Sequence, residues 1–195
     1  MEPQRADAMT TQQEAALAAF ATRVRQNSAR LGLVSSGMLT DLKAALLQPC
    51  LVFARLAPFH EPPLSIVDLG SGGGFPGIPL AIARPEHALL LVDSQQKKCD
   101  FLRRVVEELE LPNVRVLHAR VEKIRQLEPP AIFTARFFKD LRTIAAWTRH
   151  WRQPDTRYLL FSGTQELIIK DLYNVSFVAS YQLTDDKVAL EYLTV

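Results

Sequence analysis

Apolar positions fall into two regimes along the chain. Between residues 10 and 57 they recur at helical spacing. Ala15, Leu17, Ala18 and Phe20 open an alanine-rich apolar face, with Thr11 standing where an N-cap is expected. Gly32 is placed to end this helix, and a second helix is predicted from about Leu39 to Leu56, stopped before Pro58. The three prolines of Pro58–Pro63 read as a linker. From Leu64 onward the pattern becomes short apolar runs separated by amphipathic stretches. Ser65–Leu69, Leu89–Val92, Val114–Leu117, Ala131–Ala135 and Arg157–Phe161 are predicted strands, with helices over Gly77–Ala83, Gln96–Glu110 and Lys139–Trp151. Val175–Leu183 and Lys187–Thr194 alternate as an antiparallel pair around Asp185-Asp186. Strands alternating with helices predict an α/β fold with a doubly wound, mostly parallel sheet. The expected organisation is an N-terminal helical extension over residues 1–62 and an α/β domain over 63–195.

The first strand runs into the densest glycine cluster of the chain. Five of its eight glycines fall between Gly70 and Gly77. Glycine admits positive φ and lets a ligand approach the backbone, and the following helix start offers unpaired N–H groups. Gly72 to Gly77 also satisfies G-x-G-x-x-G. That pattern is weak alone and stronger here, with an apolar strand before it and Asp93 nineteen residues after Gly74.

Two acids bear on which ligand the loop takes. Asp93, followed by Ser94, ends the second strand, where a carboxylate reaches ribose hydroxyls; the competing reading is a helix cap for Gln96–Glu110. Asp68 stands two residues before Gly70. A carboxylate there repels a pyrophosphate and suits a ligand with a positive amino group, such as S-adenosylmethionine. The terminal antiparallel hairpin points the same way, because it belongs to the methyltransferase version of the doubly wound fold.

Composition narrows the class without naming a ligand. The 195 residues match roughly one domain, and no apolar run approaches the roughly 18 residues of a membrane span. The first residues carry no apolar signal-peptide core. Cys50 and Cys99 lie far apart without CxxC spacing, which disfavours a zinc site or disulfide framework and suits a reducing cytoplasm. Net charge is +2, yet Arg115–Arg157 holds ten basic and four acidic residues. Such a local field attracts polyanions, or it is an ordinary solvated face. Lys139, Arg142, Arg149 and Arg152 share one side of the predicted Lys139–Trp151 helix, while Trp147 and Trp151 lie on another and read as core. Phe137 and Phe138 either stack on an extruded base or, for at least one of them, lie buried under the sheet. His60, His87, His118 and His150 are scattered and read as surface or capping residues, and no metal-ligating or triad pattern is present.

The segments IVDLGSGGGFPGIPLAIARPE and LLLVDSQQKKCDFLRRVVEELELPNVRVLHARVEKI resemble the bacterial small-subunit (16S) ribosomal RNA guanine-N7 methyltransferases, the RsmG or glucose-inhibited division protein B family. The telling parts are FPGIPLAI after the glycines, VDSQQKKCDFL and ARVE. The match is dense over Ser65–Ile124 and thin through Thr134-Ala135-Arg136-Phe137. The resemblance implies an S-adenosylmethionine cofactor and a seven-stranded methyltransferase fold. It implies that Gly70, Gly72 and Gly74 line the methionine and ribose end, with Phe75 and Pro76 continuing under it. Asp93, with Ser94 beside it, would hold the ribose; Val121 and Glu122 would meet the adenine; Arg136 would stand beside the target base. Arg136, Lys139, Arg142 and Arg149 would then bind RNA, and a monomeric cytoplasmic enzyme without metal is expected.

The chain also departs from that family. Neither the Asn-Leu-Thr motif nor the His-x-x-Asp-Ser segment of the family's N-terminal helices is present. Phe161-Ser162-Gly163 replaces the family's Lys-Gly pair after strand five, and Gly163–Tyr173 is short. These departures bear on the RNA target rather than on the cofactor. They leave open a relative that binds cofactor but acts on another substrate or none. The literal G-x-G-x-x-G leaves a nicotinamide-dependent oxidoreductase as the weakest alternative.

Overall fold

The structure is a computed structural model that describes residues 9–60, 63–125, 127–163, 171–172 and 174–194. The N-terminal segment is helical. Helix α1 (Thr11–Leu31) is capped by Thr10, not Thr11, through a reciprocal box: Gln13 N–H donates to Thr10 Oγ1 (3.2 Å) and Thr10 N–H to Gln13 Oε1 (2.9 Å). Gly32, with φ +59°, closes it as expected. The single helix expected over Leu39–Leu56 is instead broken into α2 (Ser36–Thr40), a π-helical turn (Lys43–Leu47) and α3 (Gln48–Phe53). Two residues cause this. Asp41 leaves helical space (φ −131°) and its carboxylate takes the Ala44 N–H at 3.0 Å. Pro49, in the first turn of α3, has no N–H to give the preceding turn. The expected linker starts as a 3-10 turn at Ala57–His60; its residues 61 and 62 lie outside the described residues.

The rest is the expected doubly wound α/β unit: β1 (Ser65–Leu69), α4 (Gly77–Ala83), β2 (Ala88–Asp93), α5 (Gln96–Glu108), β3 (Val114–His118), β4 (Ile132–Arg136), α6 (Leu141–Thr148), β5 (Arg157–Gly163), β6 (Asp171–Leu172), β7 (Val175–Thr184) and β8 (Lys187–Thr194). The strands order as β3-β2-β1-β4-β5-β8-β7-β6. Pairings from β3 to β5 are parallel, and β8 runs antiparallel between β5 and β7. The two-residue β6 was not foreseen; it borders residues 164–170, outside the described residues, where the chain reads as shortened.

Each face of the sheet has its own core. On one face Leu17, Phe20, Val24, Leu46 and Phe53 from the N-terminal helices pack with Ile78, Leu80, Leu91 and Leu102. On the other, α6 lays Leu141, Ile144 and Ala145 against Val67, Phe133, Tyr158 and Tyr192. Fully burying each of the valine, leucine, isoleucine and phenylalanine side chains among these contributes about 1.5–3 kcal/mol. The helical extension is thus continuous in packing with the sheet it covers.

Candidate cofactor and substrate site

Strand order reverses between β1 and β4, so a crevice opens beyond their carboxyl ends, the usual ligand position in doubly wound sheets. Four loops meet there, after β1, β2, β3 and β4. The loop after β1 is pinned from within. Ser71 N–H donates to the Val92 carbonyl (3.0 Å), Gly74 N–H to the Ser71 carbonyl (2.7 Å), and Gly72 N–H to Asp93 Oδ2 (2.9 Å).

The glycines do different work. A methyl group on Gly72 (φ +54°) would meet nothing nearer than the Gly70 carbonyl at 3.7 Å, so this position is open to a ligand. One on Gly74 (φ +90°) would strike Ile78 at 2.9 Å, Leu102 at 3.1 Å and Phe20 at 3.2 Å. Gly74 therefore faces the packed core beneath α1, not the crevice. Phe75 is buried behind a cis bond to Pro76, its ring centroid 5.0 Å from that of Phe20 and 5.4 Å from the Arg136 guanidinium carbon.

Asp93 combines its two expected roles in an unexpected way. Its Oδ2 holds Gly72 and its Oδ1 accepts the Gln95 N–H at 2.8 Å, so it clasps the glycine loop to the approach of α5. Gln95 is the N-cap residue of α5, without a side-chain cap bond. Asp93→Ala is expected to lower thermal stability and to weaken S-adenosylhomocysteine binding by about 1.5–3 kcal/mol, the range for hydrogen bonds to a charged group. Titration calorimetry beside a thermal melt checks this; lost stability with unchanged affinity would confine Asp93 to the clasp. Ser94 is exposed beyond it, its carbonyl 3.0 Å from His118 Nε2. Val121 is buried in the 3-10 turn Val121–Lys123, tied to this edge by Ala119 N–H donating to the Asp93 carbonyl (3.0 Å). Glu122 is half-buried, 3.8 Å from Arg120.

Behind the loop lies a buried carboxylate within the field of a half-buried cation. Asp68 is 1% exposed, and neither carboxylate oxygen has a hydrogen-bond partner. Burial pushes its pKa up to about 7; the nearby Ser71 and Gly77 dipoles, neither in hydrogen-bond geometry with the carboxylate, and the Arg136 cation oppose the rise without preventing it. Ser71 Oγ donates to the Asp68 carbonyl (2.9 Å) instead of to the carboxylate. Arg136, half-buried at the end of β4, has an unpartnered Nε and a pKa lowered by burial, countered by Cys50 and Asp68. Cys50, from α3, is fully buried with its thiol pushed up to about 12, chiefly by desolvation. Its place beside this pair was not legible from the sequence, since it sits eighteen residues before Asp68 in a different element.

The substrate side differs from the sequence expectation in its helix. Asp140 caps α6 by accepting the Thr143 N–H (2.9 Å), so the helix begins at Leu141 and Lys139 precedes it. Arg142 and Arg149, seven residues apart, remain on one exposed face. Trp151 is core, edge-on to Phe133, with Nε1–H donating to the Glu128 carbonyl (3.0 Å). Trp147 is only half-buried and lies edge-on to Phe138. Phe137 is 56% exposed and in the left-handed region (φ +48°). His87 corrects the surface reading of the histidines. It is fully buried, accepting the Leu64 N–H at Nδ1 (3.2 Å) and meeting the Phe59 carbonyl through Nε2 (3.0 Å). Both are backbone groups of the segment entering the sheet, so its role is structural. Among the described residues no group of three or more His, Cys, Asp or Glu side chains is placed to hold a metal ion, and no helix is long and apolar enough to cross a membrane.

A reversed strand order, a terminal antiparallel hairpin and an acid-flanked glycine loop define the class of methyltransferase-type doubly wound folds. Solved structures agree at the level of fold. A SAM-dependent methyltransferase from Aquifex aeolicus superposes with TM-score 0.57 at 14% identity, over 73% of this chain and 92% of that one. A variant of MtNAS in complex with S-adenosylmethionine superposes with TM-score 0.65 at 14% identity, over 94% and 76%. The family model for rRNA small subunit methyltransferase G, GidB, matches residues 13–181, and the chain belongs to that family. Ribosomal RNA small subunit methyltransferase G of Stutzerimonas stutzeri is 49% identical over 102 residues, 51% of this chain and 46% of that protein. The Pseudomonas aeruginosa protein of the same name is 44% identical over 108 residues, 55% and 50%. The chain thus spans about half the length of the curated relatives it matches.

Proposed function

We propose that the chain is an S-adenosylmethionine-dependent RNA methyltransferase acting on N7 of a guanine in small-subunit (16S) ribosomal RNA, in the cytoplasm. The observation that carries the cofactor is Asp68. A buried carboxylate with unpartnered oxygens behind a glycine loop is a poor neighbour for a pyrophosphate and a good one for a cationic ligand. The open backbone at Gly72 fits the same group. Family membership supports the RNA target.

When bound, the cofactor supplies a methyl group on a positively charged sulfur. Gly70 and Gly72 would give its methionine end backbone contact. Asp93 and Ser94 would face the ribose, and Val121 and Glu122 the adenine. Guanine N7 carries a free lone pair, so no side chain must first remove a proton. What remains for the protein is positioning, which supplies up to about 7–11 kcal/mol in oriented reactions. Arg136 does this by fixing a flanking phosphate or the base rim.

Calorimetry with S-adenosylhomocysteine and NAD tests the cofactor, with binding expected for the first alone. Transfer of labelled methyl to small subunits lacking the native N7 methyl tests the substrate. Micromolar NAD binding without a homocysteine-cofactor signal would overturn the reading. RNA affinity is expected to fall with salt at a log–log slope near −0.7 per contacted phosphate. Arg142→Ala with Arg149→Ala is expected to flatten that slope and leave cofactor affinity alone; an unchanged slope returns both arginines to solvated surface.

A further inference from the structure

Two consecutive aromatic residues follow Arg136, and the turn after β4 sends them different ways. Phe138 packs inward. A methyl group built on Gly70 would fall 2.2 Å from its Cδ2, and its ring centroid is 6.2 Å from that of Trp147. Phe137 turns outward and is the most exposed large apolar side chain among the described residues. Its φ of +48° is an unfavourable conformation for a bulky residue. Outliers of this kind collect at active sites and ligand clamps. Two neighbours bear on what the ring is held out for. The Arg136 guanidinium carbon lies over it, 5.6 Å from its centroid. The ring also borders an open depression of about 270 Å³ beyond the ends of β4, β5 and β8, with Phe138, Lys139, Asp140, Leu141 and Ser162 among its walls. The depression is smaller than the roughly 300–1,000 Å³ of sites that take a whole drug-sized molecule, and its walls mix polar and apolar groups. The carboxylate in that wall, Asp140, is taken up by the N–H and hydroxyl of Thr143 (2.9 and 3.0 Å).

We propose that Phe137 is the stacking platform for a nucleotide adjacent to the target guanine, with the base of that neighbour resting in this depression. An exposed ring beside the cations of Arg136 and Lys139 is the chemistry that takes a single-stranded nucleotide, base on the aromatic face and phosphate on the cation. The occupant is the neighbour and not the target. The target base must reach the crevice between β1 and β4, whereas the depression lies across β4 from it, toward β5 and β8. Strands stand about 4.8 Å apart, so the two places are close enough for successive nucleotides of one strand. The inference rests on the RNA methyltransferase reading above and adds to it a second, base-sized subsite.

Methyl-transfer kinetics on small-subunit RNA lacking the native N7 methyl test the platform. Phe137→Ala is expected to raise KM for that RNA about tenfold, the order of effect of losing one base stack. Its kcat and its S-adenosylhomocysteine affinity are expected to stay within about twofold of wild type, the pattern of lost uniform binding. Phe137→Trp is expected to restore KM and Phe137→Leu is not, because leucine keeps apolar surface without a ring face. RNA carrying an abasic residue at one of the two positions flanking the methylated guanine is expected to raise the wild-type KM by a similar factor and to leave that of Phe137→Ala unchanged. No transfer by the wild type overturns the RNA methyltransferase reading and the platform together. Wild-type transfer with an unchanged KM in Phe137→Ala, with full rescue by Phe137→Leu, or with abasic losses that add to the alanine loss at both flanking positions, overturns the platform alone.

Discussion

Replacing Arg136 with alanine is expected to reduce methyl transfer to small-subunit RNA by about 100-fold or more while S-adenosylhomocysteine affinity changes only a few-fold. Misplacing reacting groups by an ångström has a cost of that order. The guanidinium stands at the end of β4 between the rings of Phe75 and Phe137, at 5.4 and 5.6 Å. It cannot donate to N7 during reaction, because that lone pair is the nucleophile, so its loss falls on turnover and not on cofactor binding. Arg136→Lys keeps the charge but loses the planar fork, and is expected to recover little. Single-turnover transfer from labelled cofactor is the measurement; full activity in the alanine variant removes Arg136 from the site.

The second large effect belongs to Asp68. Its pKa rises on folding from 3.8 to about 7. The folded state therefore holds a proton that the unfolded chain has already released, and the associated stability is complete below pH 4 and gone once pH passes 7. Between pH 5 and pH 8 this group alone is expected to remove roughly 2–3 kcal/mol of folding stability. Asp68→Asn carries no titrating carboxyl and is expected to flatten that slope. Over the same range wild-type affinity for S-adenosylhomocysteine is expected to rise as the carboxylate forms, with a flat profile in the variant. Denaturant melts and calorimetry at matched pH values decide it; equal slopes in both proteins would mean that Asp68 is already ionised well below neutrality.

Apart from the short β6 and the Val121–Lys123 turn, the strand and helix plan of Ser65–Thr194 was legible because each element is bounded by a local signal: a β-branched or leucine-rich run, a glycine cluster, a proline. Two helix boundaries were misread because of a specific polar atom. Asp41 and Asp140 each capture a backbone N–H three residues on, which splits one expected helix and shortens another. In the candidate site, residues close in the chain to the glycine loop were found from its motif. The electrostatic influence of Asp68 and Arg136 on Cys50 and the contact of Phe138 with Gly70 join residues 18, 86 and 68 positions apart, and no periodicity announces such pairings. The glycine motif likewise hides a division of labour. Gly72 is open while Gly74 exists to admit the side chains of Phe20, Ile78 and Leu102.

The insertion of β8 between β5 and β7 sets an order of events for the growing polypeptide. Strand β5 is followed in the sheet by Lys187–Thr194, not by the residues synthesised next. While the ribosome is still making residues 164–186, one whole edge of β5, including apolar Leu159–Phe161, has no neighbour to take its hydrogen bonds. A hydrophobic unpaired edge is where nascent chains associate wrongly. Truncation ahead of Lys187 is therefore expected to leave the β5 edge of the half-sheet open to misassociation.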